Sequence, residues 1–543
     1  MKTKLLLLSL LFFQTYAFAQ LQSNPVSNSS QTGLNEAEAH IAINPSDSNQ
    51  MAVGFMSQSA TSGLGFKIYY STDAGNSWSL SSFDAPSLSN PLYPGAVIAG
   101  GGDILLAYDQ TGKLYTSWIY LYYNFNTDTA YFSGMWASSS NNGQSFQFEN
   151  VNQSDEFFGR GILTNGLSSI SNLYEGICDR QWMAVDHTEG NNANNLYVGF
   201  VNYSNTFAGL KVRSKKSTNS FFDNPVNAAV GSYQLSNLAV DNDGELHYSF
   251  ARIDGNDGIY HVSSNDGGQT FSALNLVSSA QGAFPQNHQI NDRVNAAPSL
   301  AIDGKNNLHV TWTSYPNSQD AQSFYSYSTD GGLSWSTPFN MSTALNLNSF
   351  YSNVTAHGDK VSISTYGIDN ARQADYYLFL STNNGASFGT PIKLTSQPSN
   401  LAGFANTDFA GDYTSSVRSE CKTFSVWSDF RNAGQPKLYL SSYSDCAPLG
   451  FQEITTINSP FQISSLYPNP AQQELRISIF SENALNISAT IYSIDGKVIT
   501  TNNQKVRYGE QEFVIPVSTL SRGNYTLVLQ DDSGNKITRL FSK

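Results

Sequence analysis

Ser328-Thr329-Asp330-Gly331-Gly332-Leu333-Ser334-Trp335 reads Ser-x-Asp-x-Gly-x-x-aromatic, and the chain writes this phrase again and again. Ser71-Thr72-Asp73-Ala74-Gly75-Asn76-Ser77-Trp78 is a second full copy, and Ser264, Asp266, Gly268 and Phe271 form a third. Asn replaces Asp in the copies at Ser139, Asn141, Gly143, Phe146 and at Ser381, Asn383, Gly385, Phe388, while Ser214 to Phe221 is a decayed copy. A short Asp or Asn side chain closes a tight turn by accepting nearby backbone N–H groups. Gly supplies the positive φ of such a turn, and the aromatic residue opens the next strand and buries its ring. Each copy follows a strand-like run such as Lys67-Ile68-Tyr69-Tyr70 or Phe324-Tyr325-Ser326-Tyr327. Recurrence at intervals of roughly 50–75 residues defines a repeat architecture rather than an isolated hairpin.

Between these turns a second theme repeats: a small apolar run, a polar turn, then a run richer in aromatic residues. Trp182-Met183-Ala184-Val185-Asp186 leads to Leu196-Tyr197-Val198-Gly199-Phe200, and Leu300-Ala301-Ile302-Asp303 leads to Leu308-His309-Val310-Thr311-Trp312. Asp241-Asn242-Asp243-Gly244-Glu245 sits at one such turn and reads as a hairpin, because the later bidentate Glu of a calcium loop is missing. The small first strands suit a crowded centre where strands converge, and the wider outer strands carry the rings. Seven such units can be counted.

The Ser-x-Asp phrases resemble the Asp boxes (BNR repeats) of sialidase-like β-propellers, and this resemblance covers most of residues 35–447. It implies an all-β chain with a seven-bladed propeller, or a six-bladed one if a unit merges into an insertion. It also implies that the boxes lie on the face away from the working surface. Radial closure leaves few exposed sheet edges.

Composition narrows the partners. Charged residues make up only 13% and aromatics 13%, with a formal net charge of −14. Such a chain suits turn-rich β structure and is a poor partner for nucleic acid or anionic lipid. Met1 to Ala19 reads as a signal peptide, with Lys2 and Lys4, an apolar core over Leu5–Phe13, and Ala17-Phe18-Ala19 at the cleavage site. No stretch is long enough for a transmembrane span. Residues 20–34 read as a lead-in segment, 35–447 as the propeller and 448–463 as a linker. Of the three cysteines, Cys421 and Cys446 flank the last repeat and are the expected disulfide, leaving Cys178 as a buried thiol. No Cys/His spacing supports a metal site, and no cofactor is expected.

After residue 463 the pattern changes. Leu466-Tyr467-Pro468-Asn469-Pro470 is followed by short strands over Glu474–Phe480, Ala489–Ser493, Glu512–Pro516 and Tyr525–Leu529. Tyr-Pro-Asn-Pro, the Asp495-Gly496-Lys497 turn, Gly523-Asn524-Tyr525 and the terminal Lys536 to Phe541 resemble, in order, the type A sorting domain of the type IX secretion system of Bacteroidetes. Residues 464–543 are therefore expected to form a β-sandwich that engages the secretion machinery. Export through the periplasm to the outer-membrane surface or the medium follows from that resemblance.

The propeller resemblance directs the search for chemistry to the segments entering each first strand and to the loops after each second strand. Glu175, Asp179 and Arg180 precede Trp182, Arg293 precedes the fifth unit, Asp412 and Tyr413 precede the seventh, and Arg431 follows its second strand. Arg180, Arg293 and Arg431 could converge on a carboxylate ligand. Tyr413 or Tyr366 with Glu175, and Asp179 or Asp412 as acid, could supply sialidase-like exo-glycosidase chemistry. The early Arg-Ile-Pro string of that family is missing, and Arg252-Ile253-Asp254 is the nearest phrase. The expectation is a secreted or cell-surface propeller acting on or binding a glycan or glycoprotein. A non-catalytic binding propeller and a propeller-type polysaccharide lyase stand as alternatives.

Overall fold

The computed structural model describes residues 24–26, 34–59, 63–83, 93–148, 159–164, 169–172, 176–255, 257–279, 295, 297–316, 320–401, 411–431, 436–445, 460–493, 497–521 and 523–543. The chain divides into two units, Met1–Asp445 and Cys446–Lys543.

Within the described residues of the first unit, seven antiparallel sheets follow one another along the chain. The first is typical, running inner to outer through Leu34–Asn44, Asp47–Ser59, Gly63–Ser71 and Ser79–Leu80. The inner strands of the others are Val97–Tyr108, Ile177–Val185, Tyr233–Val240, Ser299–Ile302, Asn348–His357 and Ser415–Arg418. Each inner strand contacts the next, and the last returns to the first, where Ile41 N–H donates to Ser415 Oγ at 3.2 Å. The sheets therefore form a closed propeller around a channel of about 330 Å³ lined by all seven inner strands.

Crowding at the axis explains the small residues of the inner runs. Ala42, Ala107, Ala184, Ala239 and Ala301 occupy the same place in five inner strands, with Thr355 and Val417 in the other two. Further out the sheets pack large rings: Trp118, Trp312 and Trp427 are almost fully buried between them. Burying such a ring contributes about 2–3 kcal/mol.

The Ser-x-Asp turns join third strands to fourth strands, as their chemistry dictates. Asp73 accepts from Ser71 Oγ at 2.8 Å, from Ser77 N–H at 2.9 Å and from the Ser77 hydroxyl at 2.6 Å. Asn141 and Asn383 reproduce the backbone bond and donate their amides to Ser145 and Ser387. Gly385 has φ +75, and a Cβ there would stand 1.9 Å from the Tyr325 hydroxyl, so this corner admits glycine alone. The decayed copy at Ser214 is held otherwise: buried Arg213 donates to the Asp223 and Phe222 carbonyls at 2.8 and 3.2 Å.

Two features were not expected from sequence. Asn24 and Pro25, within the lead-in, pair with Leu440 and Tyr439 and form the outermost strand of the seventh sheet. A two-residue strand containing Pro has too little apolar content to be recognised, yet it is the kind of edge that tolerates Pro. The second sheet carries extra strands at Gly159–Thr164 and Ser169–Asn172. Cys421 is disulfide-bonded and Cys178 is a buried free thiol. The expected partner Cys446, like the signal peptide, lies outside the described residues.

The second unit is a β-sandwich. A three-stranded sheet of Phe461–Tyr467, Glu474–Ser481 and Gly509–Pro516 accompanies a four-stranded sheet of Val498–Val506, Leu485–Ser493, Asn524–Asp531 and Lys536–Ser542. Alternation sets the core: Leu475, Ile477 and Ile479 from one sheet meet Ile487, Ala489, Ile491, Leu527 and Leu529 from the other.

Candidate functional site

The inner strands share a device at the end opposite their Asp-bearing turns. Register shifts occur between Ala37 and His40, Gly102 and Leu105, Asp179 and Trp182, Gln234 and Asn237, and Phe350 and Asn353. At each bulge one non-glycine residue is left-handed: Glu38 (φ 52), Asp103 (φ 55), Arg180 (φ 49), Leu235 (φ 56) and Tyr351 (φ 50). Such a conformation costs about 1 kcal/mol or more per residue, and bulges of this kind re-aim a side chain. Five sheets accept that cost at the same level of the channel.

The bulged residues meet. Asp103, Asp179, Arg180, Leu235 and Asp412 line a cavity of about 170 Å³. Arg180 N–H donates to Asp103 Oδ2 at 3.1 Å, and the Gln181 amide donates to the Asp103 carbonyl. Asp412 N–H donates to Glu38 Oε1 at 3.0 Å, and the Tyr351 hydroxyl donates to the Gly411 carbonyl at 2.5 Å. Gly411 is required here, because a Cβ would stand 2.8 Å from Glu38 Cγ. The Arg180 guanidinium lies over the rings of Tyr413 and Trp182, at 4.0 and 5.7 Å from their centroids. Trp182 meets both His40 and Tyr413 edge-on.

Electrostatics divides the acids into different roles. The Asp103 carboxyl is raised to about 6, chiefly by loss of water and then by the Asp179 and Asp412 charges, against the pull of Arg180. Asp179 is exposed. Burial pushes the Tyr413 hydroxyl well above its ordinary value, and Glu38 and Asp103 add to that rise. Burial, with the Arg180 charge beside it, lowers the His40 imidazole to about 3, so it is neutral and accepts from Leu106 N–H. A carboxyl raised towards neutrality, an exposed acidic residue and a cation held against a buried ring thus surround one small mouth.

Of the residues singled out in the sequence, the structure brings together Asp179, Arg180, Asp412 and Tyr413. Arg431 is held by Asp429, with Nε–Oδ1 at 2.7 Å and Nη2–Oδ2 at 2.8 Å, and it lies 4.0 Å from the Tyr439 centroid. Glu175 and Arg293 lie outside the described residues. Asp103 went unnoticed in sequence because it follows Gly100-Gly101-Gly102, which reads as a turn. It stands two residues before an inner apolar run, the place Glu38 and Arg180 also hold, and that offset was the available signal. Among the described residues, one group of three metal-ligating side chains gathers within 4.8 Å, Asp241, Glu245 and His247, at the far end of the fourth inner strand.

The fold and site define a β-propeller with a strained, acidic channel mouth, followed by a β-sandwich. Residues 465–543 match the family described as the secretion system C-terminal sorting domain. The chain is thus a type IX export substrate, secreted or held at the outer-membrane surface. No helix among the described residues is long and apolar enough to cross a membrane. No curated protein matches the chain. Among solved structures it is similar to a protein of unknown function from Dyadobacter fermentans, with 13% identity, 78% of this chain and 98% of that one covered, and a TM-score of 0.42. A PL25 ulvan lyase gives 11%, 75%, 94% and 0.41, and a Trypanosoma rangeli sialidase gives 11%, 93%, 83% and 0.37 in the same order.

Proposed function

We propose that the chain is an exported glycan-acting propeller whose working site is the mouth around Asp103, Asp179, Arg180, Asp412 and Tyr413. The carrying observation is that three acidic residues and one arginine line a single cavity, with Asp103 lifted to about 6. In a hydrolytic step, protonated Asp103 gives its proton to the glycosidic oxygen as the C–O bond breaks. The Asp179 carboxylate takes a proton from the attacking water.

The raised Tyr413 hydroxyl speaks against a tyrosine nucleophile. A second reading, glycan capture without cleavage, is favoured by the Asp429–Arg431 fork, which occupies one of the nominated cations. Incubating the exported chain with neutral and anionic polysaccharides, and following new reducing ends together with binding, separates the readings. Cleavage that disappears in Asp103→Asn supports hydrolysis, and binding without cleavage supports capture. Neither binding nor cleavage of any glycan would overturn the assignment.

A further inference from the structure

The hairpins at the other end of the inner strands repeat one arrangement. An Asp ends the inner strand, a residue four or more positions later faces it, and a ring follows two residues after that. In the fifth sheet these are Asp303, Asn307 and His309. Asp303 Oδ2 receives the Asn307 amide at 2.8 Å and the Asn384 amide at 2.7 Å, with His309 Nε2 at 3.3 Å. The facing residue bears a donor in the second and third sheets also, as Lys113 and Asn195.

The fourth sheet departs from the fifth at two positions. Glu245 stands where Asn307 stands, placing a second carboxylate against Asp241. Gly331 stands where Asn384 stands, and a Cβ there would meet nothing within 4 Å, so the space of the second amide is open. Asp241 Oδ1 is taken by the Asp243 and Glu245 N–H groups at 2.9 and 2.8 Å. Its Oδ2 is left facing His247 Nε2 across 3.6 Å. His247 is 1% exposed, and that nitrogen has no hydrogen-bond partner. Two carboxylates and a buried imidazole nitrogen thus gather at one place, with no side-chain amide among the described residues donating to Asp241 Oδ2.

We propose that Asp241, Glu245 and His247 form a binding site for a divalent first-row transition cation of the Zn²⁺ type. One imidazole with two carboxylates is a donor set that such ions accept. The three ligand atoms already lie within 4.8 Å of one another. Two bonds of about 2.1 Å span at most about 4.2 Å, so a small rotation of half-buried Glu245 closes the site. His247 Nδ1 lies 3.1 Å from His261 Nε2. Donation of the Nδ1 proton to His261 leaves the Nε2 lone pair for the metal, and His261 acts as a positioning residue. The loop is held rigidly, since Asn306 donates to Asp243 Oδ2 at 2.7 Å and Asn242 donates to the Asp303 carbonyl at 3.0 Å.

The test uses the full exported chain, stripped with EDTA and titrated calorimetrically with ZnCl₂, MnCl₂ and CaCl₂, with melting followed in parallel. One Zn²⁺ equivalent should bind and raise the melting temperature, with Ca²⁺ at least tenfold weaker. Glu245→Asn recreates the fifth-sheet arrangement and should fold, yet bind Zn²⁺ at least tenfold more weakly. Gly331→Asn, which restores the second amide, provides an independent variant with the same expected loss. His261→Asn should weaken binding about 10–100-fold. Absence of Zn²⁺ and Mn²⁺ binding, or unchanged affinity in Glu245→Asn and Gly331→Asn, would overturn the assignment.

Discussion

The Arg180 guanidinium rests 4.0 Å from the centroid of the Tyr413 ring. These residues enter the third and the seventh sheets, which are not neighbours in the ring, so the pair bridges the channel mouth. Such a contact, largely removed from water, is worth about 1–2 kcal/mol.

Arg180→Met should therefore lower stability by about 1–2 kcal/mol in urea unfolding. It also removes a cation that pulls the Asp103 carboxyl down, so Asp103 should titrate at higher pH in the variant. A carboxyl resonance followed by NMR across pH 4–8 checks this; an unmoved midpoint would separate Arg180 from the cluster.

Asp103 makes a signed prediction about pH. Its folded carboxyl sits near 6 while an unfolded Asp titrates near 3.9, so the folded state holds the extra proton between those values. Stability should thus fall as pH rises from about 4 to 6, by up to about 3 kcal/mol, and stay lower above. Asp103→Asn should be more stable than the parent at pH 7 and lose that slope.

The turn carboxylates run the other way. Hydrogen bonds from the Ser334 hydroxyl and amide, then from Ser328, hold Asp330 at about 2. Its stabilisation is present above about pH 4 and is lost as pH falls towards 2. Asp330→Asn, the residue two other copies use, should cost under about 1 kcal/mol and weaken acid sensitivity. Asp330→Ala, which leaves the turn N–H groups without their acceptor, should cost about 1–2 kcal/mol.

Gly385→Ala places a methyl 1.9 Å from the Tyr325 hydroxyl in a left-handed corner. We expect a loss above about 2 kcal/mol in chemical denaturation, with Gly331→Ala milder because no atom lies near its Cβ.

Arg431→Ala strands the buried Asp429 carboxylate, which otherwise keeps only the Trp427 indole at 3.1 Å and the Arg431 N–H at 3.0 Å. Stability should fall by about 2–3 kcal/mol. Arg431→Ala with Asp429→Asn should recover part of that loss, which a double-mutant cycle measures directly.

The propeller was legible because its turns carry their own chemistry: Ser, Asp or Asn, and Gly at fixed offsets make local bonds that need no tertiary partner. The site was half legible. Asp179, Arg180, Asp412 and Tyr413 could be nominated because they enter inner strands, but Asp103 hides inside Val97–Tyr108, where three glycines imitate a loop. Bulges are tertiary features, and nothing in Glu38, Leu235 or Tyr351 announces a left-handed backbone. In the sandwich, Val498–Val506 was missed because Thr500 to Lys505 is polar throughout, as an edge strand can be.

Asn24 and Pro25 decide when the ring is finished. They form the outermost rung of a sheet whose other three strands lie between Ser415 and Ser444, so the start and the finish of the propeller share one blade. No partial length of this chain can make that clasp. Formation of that blade must wait for the last repeat to arrive.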